Sequence, residues 1–359
     1  MLLAGIKVAP NSNHFYISRR HTPRQEKREA SPRVIRKTLR LFFCAVLISW
    51  VGCSLYFTFG PSGPWGTTEN EEDREIFIPQ GSGFRQIAEI LKKEKALRQT
   101  YGFMLRALLM NKAKTLQAGE YLIPSQGKIG DLIEKISSGN VTHRSFTVIE
   151  GSTVADILAK LKDNKFLLGE MTRIPEEGRL LPATYPYHRG EERQSLIDRM
   201  EKAMETVLLE LWESRPGDCL LKTPDEALTM ASIIEKESST KLYEQPRIAG
   251  VFFNRIKKNM RLQSDPTVIY ALTKGQRPLG RPLTRNDLKH DSFYNTYRYA
   301  GLPPTPIACP RKEAIEAALN PNTHEELYFV ANGIGGHNFA KTLDDHYKNV
   351  QKWRSAREG

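Results

Sequence analysis

The longest feature in the hydrophobic pattern is an uncharged run from Leu41 to Phe59, LFFCAVLISWVGCSLYFTF. Its 19 residues predict a helix of about 28 Å, close to the roughly 30 Å of a bilayer's hydrocarbon core. Apolar residues fall on every side of it, where a surface helix would show one stripe. A secretory signal would be shorter and end in small residues at a cleavage site; Gly60-Pro61-Ser62-Gly63 follows instead. The pattern therefore predicts a single retained membrane-spanning helix over 38–60. After it, Gly, Pro, Ser and an acidic run ending at Asp73 read as a linker over 61–74.

Three times thereafter a short apolar stretch meets a Gly turn and then apolar residues three or four apart. Phe77-Ile78-Pro79-Gln80-Gly81 leads into Phe84, Ile87, Ile90 and Leu91, and Leu122-Ile123-Pro124-Ser125-Gln126-Gly127 into Ile129, Leu132, Ile133 and Ile136. Thr147-Val148-Ile149-Glu150-Gly151 leads into Val154, Ile157, Leu158 and Leu161. Each copy predicts a strand, a turn and an amphipathic helix. Glycine spacings of 46 and 24 exclude a regular solenoid. The expectation is a small α+β module over 75–165, suited to glycan binding or to support and spacing, and a second folded region over 166–359.

In that second region Leu180 to Tyr187 reads as a loop or strand, and Ser195 to Trp212 as a helix with Leu196, Met200, Met204, Leu208 and Leu211 on one stripe. Thr223-Pro224-Asp225-Glu226 is a capping box with Pro at the first helical position. The helix it opens ends in two carboxylates, Glu235 and Glu237, which point about 200° apart around the axis. Met230, Ile233, Ile234 and Glu237 cluster within about 100°, so Glu237 continues an apolar stripe and Glu235 leaves it. A carboxyl against apolar side chains holds its proton to higher pH, as a general acid must. The same spacing also suits a solvated glutamate that merely ends a helix.

Charge changes this picture mainly at one end. The chain carries a formal +12, but residues 1–40 hold ten Lys/Arg against two acids, leaving only +4 for residues 41–359. A basic block ahead of an apolar helix orients it, which predicts a cytoplasmic tail over 1–37 and an exported remainder. A nucleic-acid surface is thereby disfavoured. Four cysteines and no C-x-x-C exclude a disulfide scaffold; Cys44 and Cys53 fall in the apolar run, and pairing of Cys219 with Cys309 stays open. There is no H-E-x-x-H, P-loop or G-x-S-x-G. His337 and His346 lack the companions of a metal site, so neither metal nor cofactor is expected.

Polar groups that suit a cleft come later. A helix marked by Ile248, Val251, Phe252 and Ile256 carries Asn254 and Arg255. Ser264 or Asp265 can cap a helix opening at Pro266, near Gln263, Thr267 and Tyr270. Tyr294, Asn295, Tyr297 and Tyr299 precede a rigid Pro loop, a composition that suits sugar stacking and equally a turn-rich hairpin. Leu327 to Ala331 is a strong strand, turned by Asn332-Gly333-Ile334-Gly335-Gly336 into His337.

Four stretches in one order carry a resemblance: ALTMASIIEKES (227–238), VFFNRIKKNMRLQSDPTVIYAL (251–272), YNTYRYAGLPPTPIACP (294–310) and LYFVANGIGGHNF (327–339). Over roughly 75–350 the chain resembles the YceG-like family of endolytic murein transglycosylases, membrane-anchored bacterial cell-wall enzymes. The resemblance implies a LysM-like module at 75–165 and a mixed α/β catalytic domain at 166–359. It also implies an extracytoplasmic catalytic domain on the inner membrane, peptidoglycan glycan strands as substrate and glycan synthases as neighbours. The second Glu of E-K-E, Glu237, takes the family's catalytic place; Asn254, Gln263, Asp265, Thr267, Tyr270, Asn295, Tyr297 and His337 are the candidates for holding sugar. The implied reaction is cleavage of the MurNAc–GlcNAc bond to leave a 1,6-anhydro end. A water-using muramidase with Asp265 as second carboxylate, and a silent peptidoglycan-binding scaffold, are the alternatives. Leu302-Pro303-Pro304-Thr305 departs from the family's usual Leu-Pro-Pro-Gly.

Overall fold

The computed structural model describes residues 32–59, 72–125, 127–238 and 241–358; most of the expected tail and linker lies outside them. The protein divides into two compact units, 1–63 and 64–359. In the first, helix α1 spans Pro32–Phe59 and begins well before the uncharged run, because Arg33, Arg36, Lys37 and Arg40 continue the same helix. Its stretch Arg36–Tyr56 is long and apolar enough to cross a membrane, and none of it is buried.

The second unit is α+β. Strand β1 (Arg74–Ile78) is followed by α2 (Phe84–Lys93) and α3 (Thr100–Leu109), then by β2 (Gly119–Ile123) and α4 (Ile129–Ser138). β1 and β2 pair antiparallel with Ile76 opposite Tyr121. Ile76, Ile78, Ile87, Leu91, Phe103, Tyr121, Ile133 and Ile136 bury one core, so the first two sequence copies close upon each other. The intervening α3 carries no repeat signal.

The third copy behaves differently. Its strand β3 (Arg144–Thr147) pairs antiparallel with β4 (Thr184–Tyr187), not with β1 or β2. Its helix α5 (Val154–Asp163) shares a core with Leu180, Tyr185, Tyr187 and with Leu196, Ile197 and Met200 of α6 (Arg193–Glu213). That core continues beyond residue 165 because β3 finds its partner there. Where the two cores meet, Glu120 is buried on β2 and accepts from Arg144 Nε at 2.7 Å and from Arg189 at 3.2 Å. Burial acts to raise the Glu120 pKa, and the two guanidiniums outweigh it and hold the carboxyl below its ordinary value.

Helix α7 (Pro224–Glu237) runs through the largest core, against α8 (Gln245–Lys257), α9 (Asp265–Thr273) and α10 (Lys312–Leu319). Thr223 caps it, its hydroxyl accepting from Glu226 N–H at 3.1 Å; the Glu226 carboxylate accepts from Lys222 N–H at 2.6 Å, one residue before the expected reach-back. A hairpin, β5 (Tyr328–Ala331) and β6 (His337–Ala340), and a terminal helix α11 (Leu343–Glu358) complete the unit. All three sheets are two-stranded and antiparallel among the described residues, so this region is helical with small ribbons, not a mixed α/β sheet. Cys219 and Cys309 are free thiols.

Candidate functional site

The end of α7 separates its two carboxylates, but not as a helical wheel alone implies. Every residue from Ala227 to Glu235 is buried, so the helix has no solvent face along that stretch. Glu235, 6% exposed, accepts from Arg311 N–H at 3.0 Å and ion-pairs with its guanidinium at 2.9 Å. This is a structural pair that ties the start of α10 to α7. One half-turn on, Glu237 is half-buried and has no ion-pair partner among the described residues. It lines an open cavity of about 540 Å³ together with Arg255, Gln263, Asp265, Tyr297, Tyr328, His337 and His346.

Ser264 holds Glu237. It stands at the N-cap of α9, where a serine hydroxyl ordinarily accepts from the first-turn amides; here it makes no cap bond and donates to Glu237 Oε1 at 2.6 Å. Ser264 is itself fixed: its N–H donates to Thr296 Oγ1 at 3.0 Å, and its carbonyl accepts from Thr267 Oγ1 at 2.6 Å. Thr267 and Thr296 share a further bond at 2.8 Å. Gln263, just before, sits in the left-handed region at φ 51°, unusual for a residue with a Cβ, and its N–H donates to the Thr296 carbonyl. This buried hydroxyl chain sets the position from which Ser264 reaches α7.

The electrostatics separate the two sides of the cavity. Burial pushes the Glu237 carboxyl up to about 7; the Ser264 bond pulls against it, the Asp265 charge adds to the rise and Arg255 opposes it. Asp265 accepts from Tyr297 O–H at 2.6 Å, and burial followed by that bond drives the phenol well above its ordinary range. Arg255, 8% exposed, spends its Nε and Nη1 on the carbonyls of Leu327 and Leu262, both at 2.7 Å. Burial lowers its pKa. His337 Nδ1 meets Glu244 at 2.8 Å, and the His346 ring stacks on Tyr328 at 5.2 Å.

Of the candidates from sequence, the cavity gathers Glu237, Gln263, Asp265, Tyr297 and His337. Four others are engaged elsewhere. Asn254 donates to the carbonyls of His324 and Glu326, pinning the segment before β5. Asn295 is fully buried and donates to the carbonyls of Leu288 and His290. Thr267 belongs to the hydroxyl chain behind Ser264, and the Tyr270 hydroxyl donates to Glu177 at 3.3 Å. Tyr294 packs on Tyr270 and bonds Thr305, the departing residue of the Pro loop, so of the three loop tyrosines it is Tyr297 that lines the cavity. Ser264, Arg255, Tyr328 and His346 also stand at the site, and local sequence does not mark them as sugar contacts. Ser264 gave only a capping signal, and the others join the cavity through pairing and packing that periodicity does not report.

One cavity of this α+β scaffold thus gathers a carboxyl raised to about 7, the Asp265 side chain and a buried guanidinium, groups with which acid–base chemistry could be done. The model of the YceG-like family matches residues 76–352. A Bacillus subtilis (strain 168) protein named endolytic murein transglycosylase is 33% identical over 318 residues, 79% of this chain and 85% of the relative. A Streptococcus pneumoniae (strain D39) protein of the same name is 30% identical over 319 residues, 77% of this chain but 57% of the longer relative. A crystal structure of a putative YceG-like protein from Listeria monocytogenes is 31% identical, covers 78% of this chain and 99% of its own, and superposes with a TM-score of 0.48. The chain belongs to the YceG-like family.

Proposed function

We propose that this protein is a peptidoglycan lytic transglycosylase that cuts the MurNAc–GlcNAc bond within glycan strands, with Glu237 as its single acid and base. The observation that carries the reading is the Glu237 carboxyl, half-buried on an open cavity and raised by burial to about 7. At that pKa one group can give a proton and take one back near neutral pH. The names borne by the relatives support the same substrate.

Protonated Glu237 donates to the leaving O4 as the C1–O4 bond breaks. The resulting carboxylate then removes the proton of the muramic C6 hydroxyl, whose oxygen closes on C1. A C1–O6 bond replaces the C1–O4 bond, no water is consumed, and Glu237 ends protonated. Because the nucleophile belongs to the same ring, the reaction exploits the high effective molarity of an intramolecular attack. Gln263, Asp265, Tyr297 and His337 line the wall along which the sugar lies, and the Asp265 charge faces the positive charge that develops at C1.

A second reading, a muramidase in which Asp265 activates water, draws on the placement of Asp265 in the same cavity. One digestion of purified glycan strands separates them: mass spectrometry finds ends lighter by one water for the lyase and reducing ends for the hydrolase. Binding without new ends would make the protein a scaffold. Glu237→Gln keeps the shape and removes the proton, and cutting at the normal rate by that variant would refute the assignment. The proposal extends to topology and layout: α1 is the anchor with residues 1–37 cytoplasmic, the region built on β1 and β2 is LysM-like, the rest of the exported chain is catalytic, and glycan synthases are the neighbours.

A further inference from the structure

Helix α3 carries an apolar face that the fold leaves uncovered. Tyr101, Leu105, Leu108 and Leu109 are 73%, 43%, 60% and 78% exposed. On a helical wheel the four fall within about 100° of one another. The other side, with Phe103 and Ala107, is buried in the β1–β2 core. Scattered surface leucines need no explanation, but four large apolar side chains on one face of a ten-residue helix form a patch of the kind that marks an interaction site.

The charge around the patch identifies what it meets. Residues 92–119 hold seven Lys/Arg and one acid, Glu94, whereas residues 41–359 as a whole carry only +4. The segments on either side of this helix are therefore among the more basic parts of the exported chain. Lys92, Lys93, Lys95 and Lys114, in the segments just before and after α3, are exposed. An exposed apolar stripe flanked along the chain by exposed cations suits a helix that lies in a membrane interface, its apolar side in the headgroup boundary and the cations among anionic lipids. A second copy fits poorly, since a symmetric contact would bring two such basic segments together. The chain also keeps this helix near a bilayer: the fourteen residues 60–73 separate α1 from β1 and reach at most about 50 Å when fully extended.

We propose that α3 docks on the surface of the bilayer that holds α1, Tyr101 and the three leucines entering the headgroup boundary while the surrounding lysines pair with anionic phospholipids. The docking rests on α1 as tether and not on the cleavage reading. It gives the exported unit a second attachment beside the anchor, so the unit lies against the membrane instead of swinging at the length of its linker.

The test uses the full chain with Cys44, Cys53 and Cys219 changed to Ser and a fluorophore on Leu109→Cys. The protein is reconstituted into vesicles carrying a nitroxide at headgroup depth and isolated by flotation, so that only inserted chains are read. In phosphatidylglycerol-containing vesicles the label is quenched about twofold or more relative to a label at Lys348→Cys on α11. The quenching is lost in pure phosphatidylcholine, at about 1 M salt where the screening length is roughly 3 Å, and in the Lys92→Glu, Lys93→Glu, Lys95→Glu variant. These three residues are exposed, and unchanged circular dichroism confirms that the variant is folded. Absence of quenching in anionic vesicles, quenching that ignores lipid charge, contact between labelled copies in neutral vesicles, or failure of the chain to float would each overturn the proposal.

Discussion

Ser264 Oγ donates to Glu237 Oε1 at 2.6 Å, joining the N-terminus of α9 to the last residue of α7. The bond favours the ionised carboxylate and so works against the burial that raises Glu237 to about 7. Glu237 is the proposed proton donor, so activity falls as pH rises through its pKa. Ser264→Ala removes the restraint and moves that alkaline limb to higher pH, where Asp265→Asn, by removing a like charge, moves it lower. Rates of strand cutting measured between pH 5 and 9, about two units either side of the limb, check both signs. A Ser264→Ala profile that coincides with the parent would detach Ser264 from the acid.

Glu237→Gln is expected to abolish cutting by a factor of about 10² to 10⁴ while leaving the fold at least as stable. The folded-state pKa lies above the ordinary 4.5, so the stabilising contribution is complete below that value and is lost as pH rises through about 7. The loss is of the order of 3 kcal/mol. Urea titrations at pH 4.5 and 8 should show the parent weakening between them more than Glu237→Gln does. An equal change in both proteins would contradict the buried-acid assignment.

Glu235 should respond in the opposite way. Its carboxylate is engaged by Arg311 N–H and guanidinium, and Glu235→Gln leaves that arginine only the half-exposed Glu150 carboxylate, 4.0 Å away. Destabilisation of about 2 kcal/mol is expected, with the pH limbs of the surviving activity unmoved. Denaturation and the pH profile together distinguish the structural glutamate from the proposed catalytic one, two residues apart.

At the junction of the two smaller cores, Arg144→Ala leaves Glu120 with Arg189 alone. The Glu120 pKa is held low, so its contribution is present above its ordinary 4.5 and disappears as pH falls through the lower folded value. The variant should be less stable by about 2–3 kcal/mol at pH 7. That gap should shrink on acidification, because a protonated Glu120 no longer needs the guanidinium. A gap independent of pH would mean that the loss comes from Arg144 packing on the Phe166 ring, 3.6 Å away, and not from charge.

Local signals carried much of the architecture. Apolar spacing marked α2, α4, α5 and α6 within a few residues, and Thr223-Pro224 marked the start of α7, because amphipathicity and capping are properties of a few neighbouring residues. The end of α1 was legible and its start was not, since a helix passes from an apolar to a basic stretch without a break. Pairing was out of reach. Nothing near Phe146 indicates that it will lie opposite Tyr185. The third copy's pairing with β4, and the core it shares with residues beyond 165, are visible only in three dimensions.

For the site, sequence and structure contributed different things. The order of residues by itself determined that a carboxyl closes the apolar stripe of one helix, that Ser264 precedes a proline-opened helix, and that an apolar span follows a basic block. Each follows from the 3.6-residue period or from a run of like side chains. Only the tertiary structure decided that the whole girth of α7 would be buried, so that Glu235 had to find Arg311 while Glu237 stayed on a cavity. It also turned the Ser264 hydroxyl from its cap to that carboxyl, withdrew Asn254, Thr267 and Tyr270 into bonds with groups distant along the chain, and folded the Asn295 loop so that its amide is satisfied by Leu288 and His290. A polar side chain facing solvent or sugar has the same local sequence as one satisfied from 29 or 70 residues away. Its role is settled by the partner that folding delivers, because a buried polar group must take one.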